Sequence, residues 1–293
     1  MRTRIFNKMT AQEVEDYLAR GGDTIFLAIG VIECHGALPI DCETIGPEAN
    51  AVLLAEKADG LAMINLPYFY PGATVISNAT VNFTIRDGIR YLNKICHSLV
   101  DQGFRKIFLL SGHGPAPMTI NAFCRDFFEE TLIHPCHLMR LENGGMPAFP
   151  KIDPKTGPTE EQKEFFRKLS LRTYGAYKVM GQMEYLPIDP EGKGCDGPRK
   201  PADPRMQKFS RLYSGFGGYT CQLYSDPAQH GGGYFFKDEQ ERLEWCTEGE
   251  QILRETIDKC KINELKEALG AYQDYVQKMY QKFPRIKKAH SEG

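Results

Sequence analysis

Two apolar runs of strand length set the frame for any fold this chain can adopt. Thr24-Ile25-Phe26-Leu27-Ala28-Ile29-Gly30-Val31-Ile32 and Lys106-Ile107-Phe108-Leu109-Leu110 each end in a glycine-interrupted polar cluster, Glu33-Cys34-His35-Gly36 and Ser111-Gly112-His113-Gly114. In open α/β sheets, ligands gather beyond the carboxyl ends of the strands, so both clusters point to one rim. Residues two apart in an extended segment share a face, which lets Glu33 and His35 aim a carboxylate and an imidazole at one point.

The pattern between and around these runs alternates strand and helix. Thr10-Ala11-Gln12-Glu13 has capping-box form and opens a short helix ahead of the first strand. A helix is expected over Pro47 to Ala58, a strand over Leu61 to Leu66 and an irregular stretch over Tyr68 to Ala79. Ile89, Leu92, Ile95, Cys96 and Leu99 then keep the helical period until Gly103 stops it. A helix over Met118 to Glu130 and a strand over Thr131 to Met139 complete a βαβα series. The expected fold class is therefore α/β: a three-layer αβα sandwich around a mostly parallel central sheet. Helices over Thr159 to Met180, Lys237 to Asp258 and Asn263 to Gln281 follow. Loop-rich insertions are expected at about 142–158 and 187–236, within a single domain spanning 1–293.

Composition narrows the partners. With 36 Lys and Arg against 38 Asp and Glu, the formal charge is -2, and no basic block interleaves with aromatics. Nucleic acid is thus not an expected partner, and a small molecule is. No run approaches the roughly 20 apolar residues of a membrane helix, and the N-terminus lacks a signal-peptide pattern. Nine cysteines without Cys-x-x-Cys spacing suit a reduced compartment, so a cytoplasmic location of the whole chain is expected.

Glu33, His35 and His113 supply a carboxylate and two imidazoles, donor types that suit zinc, manganese or iron at an open catalytic position. The competing reading is three ordinary hydrogen-bonded loop residues. Asp41-Cys42-Glu43 follows closely enough to fold back, and a carboxylate there could bridge two ions roughly 3.5 to 4 Å apart that hold a hydroxide against a carbonyl carbon. Cys34 and Cys42 read as small buried residues rather than thiolate ligands. His134-Pro135-Cys136-His137 reads as an edge-strand end rather than a site.

Glu33-Cys34-His35-Gly36-Ala37-Leu38-Pro39-Ile40-Asp41-Cys42-Glu43-Thr44 resembles the Glu-x-His-Gly…Leu-Pro…Thr-Asp-Thr segment of the creatininase family, shortened by one residue. Gly103 to Gly114 resembles that family's Gly-Phe-Arg-Arg-Ile strand ending in Asn-Gly-His-Gly, and the resemblance covers about residues 10 to 130. It implies Glu33 and His113 on one metal, His35 on the other, and Glu43 at the family's bridging aspartate, with Asp41 as the alternative. Downstream, the family's His- and Glu-bearing segment is replaced by Tyr174-Gly175-Ala176-Tyr177, and Pro115-Ala116 follow His113-Gly114. Tyr177 and the loop residue His230 are the candidates to replace the missing acid/base group.

The resemblance implies a metal-dependent amidohydrolase-type enzyme with one or two divalent ions, zinc or manganese, with iron also compatible. Its metal-bound hydroxide would attack a carbonyl, by default at a C–N bond of a small cyclic or formyl amide. Opening a cyclic ketone at a C–C bond is the alternative reaction, and a non-catalytic, metal-containing small-molecule-binding relative is the alternative class. Homo-oligomerisation, as far as a hexamer, is the implied assembly.

Overall fold

The fully buried strand β1 (Thr24–Ile29) is the centre of the molecule. In the computed structural model, which describes residues 1–139, 141, 159–191, 203–216 and 235–283, it lies between β2 (Leu61–Leu66) and β3 (Lys106–Leu110), with β4 (Cys136–Leu138) beyond β3. Every pairing in the order β2-β1-β3-β4 is parallel. Parallel neighbours require crossover connections, and here helices supply them.

Alternation along the strands assigns each helix to a layer. Ile25, Leu27 and Ile29, with Ile107 and Leu109, face α1 (Ala11–Ala19), α3 (Ile85–Gln102) and α4 (Ala116–Thr131). Phe26 and Ala28, with Phe108 and Leu110, face α2 (Cys42–Lys57), α5 (Glu160–Val179), α7 (Glu239–Lys259) and α8 (Ile262–Lys282). Phe26 and Phe108 stack across the sheet with ring centroids 5.0 Å apart. The expected three-layer αβα architecture is the one observed. Local signals held at the helix ends: Thr10 and Glu13 form the reciprocal capping box of α1, and Gly103 ends α3 at φ 117°.

Four boundaries differ from the sequence reading. The first strand stops at Ile29: Gly30 N–H still reaches Leu66 O of β2 at 3.0 Å, but beyond it the backbone pairs with loops, Val81 N–H donating to Ile32 O at 2.9 Å and Glu33 N–H to Ile40 O at 3.0 Å. Helix α2 begins at Cys42 instead of Pro47, since Thr44 and Ile45 N–H both bond to Asp41 O, at 2.7 and 3.0 Å. Strand β4 is three residues long, as α4 takes up Thr131 and Pro135 has no N–H to offer a ladder. Within 187–236, Pro204–Gly215 forms a helix, α6, where the sequence reading gave only loop. The 142–158 insertion lies outside the described residues.

The outer layer is pinned by two glycines. A Cβ on Gly249 of α7 would lie 1.9 Å from Leu171 O, and one on Gly175 of α5 would lie 2.1 Å from the Gly249 carbonyl carbon. The two helix backbones touch there, and no side chain fits. Gly249→Ala should therefore destabilise the fold by about 1–3 kcal/mol through overpacking. Gly270→Ala in α8, where the new methyl meets only Lys106 Cε at 3.6 Å, should stabilise it by about 0.5–1 kcal/mol. Chemical unfolding of both variants checks the pair, and equal effects would contradict the contact.

Candidate metal centre

Register delivers the first two site residues to one place. Ala28 pairs with Leu110 in the parallel β1–β3 ladder, so the segments that leave both strands start side by side. Glu33 follows from one and His113 from the other, and their side chains meet with Glu33 Oε1 3.2 Å from His113 Nδ1. Both residues are buried, at 1% and 6% exposure.

The third residue comes from the start of α2. Thr44 Oγ1 donates to Val31 O at 2.9 Å, and a Cβ on Gly30 would sit 2.2 Å from that Oγ1. Glycine at 30 is thus what lets the first turn of α2 lie on the end of β1. Glu43, one residue earlier, reaches over the rim with Oε2 2.6 Å from His113 Nδ1. A carboxylate in the first turn also sits at the favourable end of the helix dipole. One ligand-type atom from each of Glu33, Glu43 and His113 lies within 4.8 Å of the others, and among the described residues this is the one such group of three.

The remaining sequence candidates separate. His35 flanks the cluster, with Nε2 3.7 Å from Glu43 Oε1. Asp41, the alternative to Glu43, instead accepts a 2.6 Å hydrogen bond from Tyr177 Oη. Tyr177 is fully buried, and burial followed by the Asp41 contact pushes its phenol above the usual range. Its hydroxyl is engaged with Asp41 rather than directed at the three-residue group. His230 lies outside the described residues. Cys42 is buried and its thiol is raised well above the ordinary range, first by burial, which fits an inert packing residue. His137 bonds to Asn121 Oδ1 at 2.8 Å, and burial lowers it to about 4.

Two contacts were invisible in the sequence. Thr74 Oγ1 donates to Glu33 Oε2, and His113 Nε2 lies 3.0 Å from the Tyr70 carbonyl oxygen. Both come from the stretch read as irregular, where the sole signal is a Tyr-Pro-Gly turn.

Electrostatics bind the group together. Burial pushes the His113 imidazole down, but Glu33 and Glu43 outweigh it and carry the group up to about 9. Burial raises the Glu43 carboxyl, yet hydrogen bonds from His113 and His35 hold it well below the usual carboxylate range. His35 is raised too, with the Glu43 contact overcoming burial.

Residues 7–170, more than half of the chain, match the family model described as "Creatininase: Creatinine amidohydrolase". The chain belongs to the creatininase family of metal-dependent amidohydrolases. A crystal structure of creatinine amidohydrolase (creatininase) superposes with TM-score 0.57 at 17% identity, covering 93% of this chain and 98% of its own. A structure titled "Creatininase Mn" gives 0.54 at 15% identity, with 95% and 99% coverage. A Glu-to-Gln mutant creatininase of Zn-Zn type gives 0.52 at 16%, with 88% and 98% coverage. At these identities the likeness is one of fold. No curated protein matches the chain.

In the metal-stripped protein, the His113 ring should titrate near 9, above its unperturbed value of about 6.5. The folded value is the higher one, so this group's contribution to stability is complete below about 6.5 and fades as pH rises through about 9. NMR of the imidazole resonances after chelation measures this. A ring titrating at or below 6.5 would contradict the carboxylate contacts.

Proposed function

We propose that this chain hydrolyses a C–N bond of a small cyclic or formyl amide, using a divalent metal held by Glu33, Glu43 and His113 with His35 beside them. The observation that carries the reading is the convergence of two carboxylates and an imidazole on the carboxyl rim of a parallel sheet. The donors fit the ion: hard oxygens with one imidazole nitrogen suit zinc or manganese, and iron is compatible. One or two ions can be served, depending on whether His35 and Glu43 Oε1 take a second.

A divalent ion at such a site polarises a carbonyl oxygen and makes bound water acidic enough to attack at neutral pH. The chain's own residues do the rest. Thr74 and the Tyr70 carbonyl hold Glu33 and His113 in place, and burial of both excludes competing water. His35 Nε2, 3.7 Å from Glu43 Oε1, is the described imidazole placed to hold a proton beside the cluster. Tyr177 keeps its proton and donates it in a hydrogen bond to Asp41 Oδ1, supporting the start of α2, while His230, outside the described residues, stays the sequence candidate for protonating the leaving nitrogen. The same geometry serves a cyclic ketone as the alternative carbonyl substrate.

One observation favours the second reading, a metal-containing small-molecule-binding relative without turnover. Gly175 and Tyr177, in the segment aligned with the family's acid/base group, are spent on the Gly249 contact and on Asp41. In either reading the working unit is a single domain over 1–293, cytoplasmic, and a homo-oligomer up to a hexamer. No helix among the described residues is long and apolar enough to cross a membrane.

Protein purified without chelator should retain one to two divalent ions, and at 100-fold excess over Kd the ion should stabilise the fold by about 2.7 kcal/mol. Glu43→Gln and His113→Ala should each lower the metal content and abolish metal-dependent hydrolysis of an amide and lactam panel. Asp41→Asn should keep the metal. Retention of full metal by Glu43→Gln together with loss in Asp41→Asn would overturn the assignment, and metal without turnover on the panel would favour the second reading.

A further inference from the structure

The segment between β2 and α3 touches both carboxylate and imidazole of the centre. Thr74 Oγ1 donates to Glu33 Oε2, and the Tyr70 carbonyl accepts from His113 Nε2 at 3.0 Å. Gly72, between them at φ 75°, lies so close to Pro115 that a Cβ there would sit 2.8 Å from Pro115 Cγ. Pro115 is two residues after His113, at the start of α4. Five consecutive residues therefore contact the His113 loop or its partners at three points.

These contacts fix orientation in a way that follows from donor chemistry. A carbonyl oxygen only accepts, so the nitrogen facing Tyr70 must carry a hydrogen, and in the neutral ring the lone pair is left on Nδ1. Nδ1 is the atom that faces Glu33 Oε1 at 3.2 Å and Glu43 Oε2 at 2.6 Å. On the carboxylate, the Thr74 hydroxyl occupies Oε2 and leaves Oε1 turned toward the same nitrogen. Thr74 is 3% exposed and Glu33 1%, so water has no access with which to replace the hydroxyl.

We infer that Thr74 is a positioning residue for the metal centre, and that the Tyr70 carbonyl selects Nδ1 of His113 as the ligating nitrogen. The inference rests on the metal-centre reading above and adds residues that touch the ligands rather than the ion. Partners of this kind raise metal affinity by holding ligands in the productive rotamer and tautomer, by about 10- to 100-fold. The bland alternative is a buried hydroxyl that merely satisfies its own hydrogen bond.

The test uses the full chain with zinc as the probe. Thr74→Val keeps the shape and removes the donor, and it should weaken zinc affinity about 10- to 100-fold; Thr74→Ser restores the donor and should return it to within a few-fold of wild type. Zinc affinity unchanged in Thr74→Val, or lost equally in Thr74→Ser, overturns the role of the hydroxyl. Nitrogen-15 NMR of the zinc-loaded wild-type protein needs no variant and should show His113 coordinated through Nδ1 with a proton on Nε2. Coordination through Nε2 overturns the role of Tyr70. Wild-type protein that takes up no zinc, manganese or iron would instead remove the metal-centre reading itself, a separate outcome from either.

Discussion

The parallel ladder between β1 and β3 is the constraint on which the site depends. Because Thr24 to Ala28 run in step with Lys106 to Leu110, the two strands end together and their following loops emerge as neighbours. An antiparallel pairing would send Glu33 and His113 to opposite ends of the sheet. The ladder is secured by burial of every β1 residue between two helical layers, so the position of the site is inherited from the hydrophobic core. Chemistry at the rim is then a matter of which polar residues follow the last buried position.

The second constraint is steric and involves a residue with no side chain. Gly30 allows Thr44 to pack on the end of β1, and the Thr44 hydroxyl anchors on Val31 O. Glu43 is placed by that contact more than by any feature of its own. Pro47 lies in the second turn of α2 and has no N–H to offer the carbonyl of Glu43, four residues before it.

The fold was legible because its signals are local. Strand-length apolar runs, the Thr10–Glu13 box and the Gly103 stop each act within a few residues, and the βαβα order then leaves few topologies. Glu33, His35 and His113 were legible as residue types at two strand ends, while Glu43 was named only through the family resemblance; the structure groups Glu33, Glu43 and His113 and leaves His35 flanking them. What could not be read is non-local. Thr74 finds Glu33 across 41 positions, and Tyr70 acts through a backbone oxygen that every residue type possesses. Tyr177 was read as an acid/base candidate because it aligns with a missing glutamate; its engagement with Asp41 depends on how α5 lies against α2, which no spacing encodes. The α6 helix was missed because Gly, Pro and Asp on both sides of it masked a short amphipathic run.

Charge balance explains why these three groups belong together. Two carboxylates around His113, Glu33 with its side chain 1% exposed and Glu43 with its side chain 19% exposed, would be costly to bury without compensation. A protonated imidazole offsets one negative charge, and the Glu33 and Glu43 contacts, overcoming burial, carry His113 up to about 9. A divalent cation with a neutral imidazole would offset two negative charges at once, and the Tyr70 carbonyl favours the tautomer that leaves the Nδ1 lone pair facing the carboxylates. The same buried geometry that makes a proton stick to His113 is therefore one that rewards its exchange for an ion of charge two.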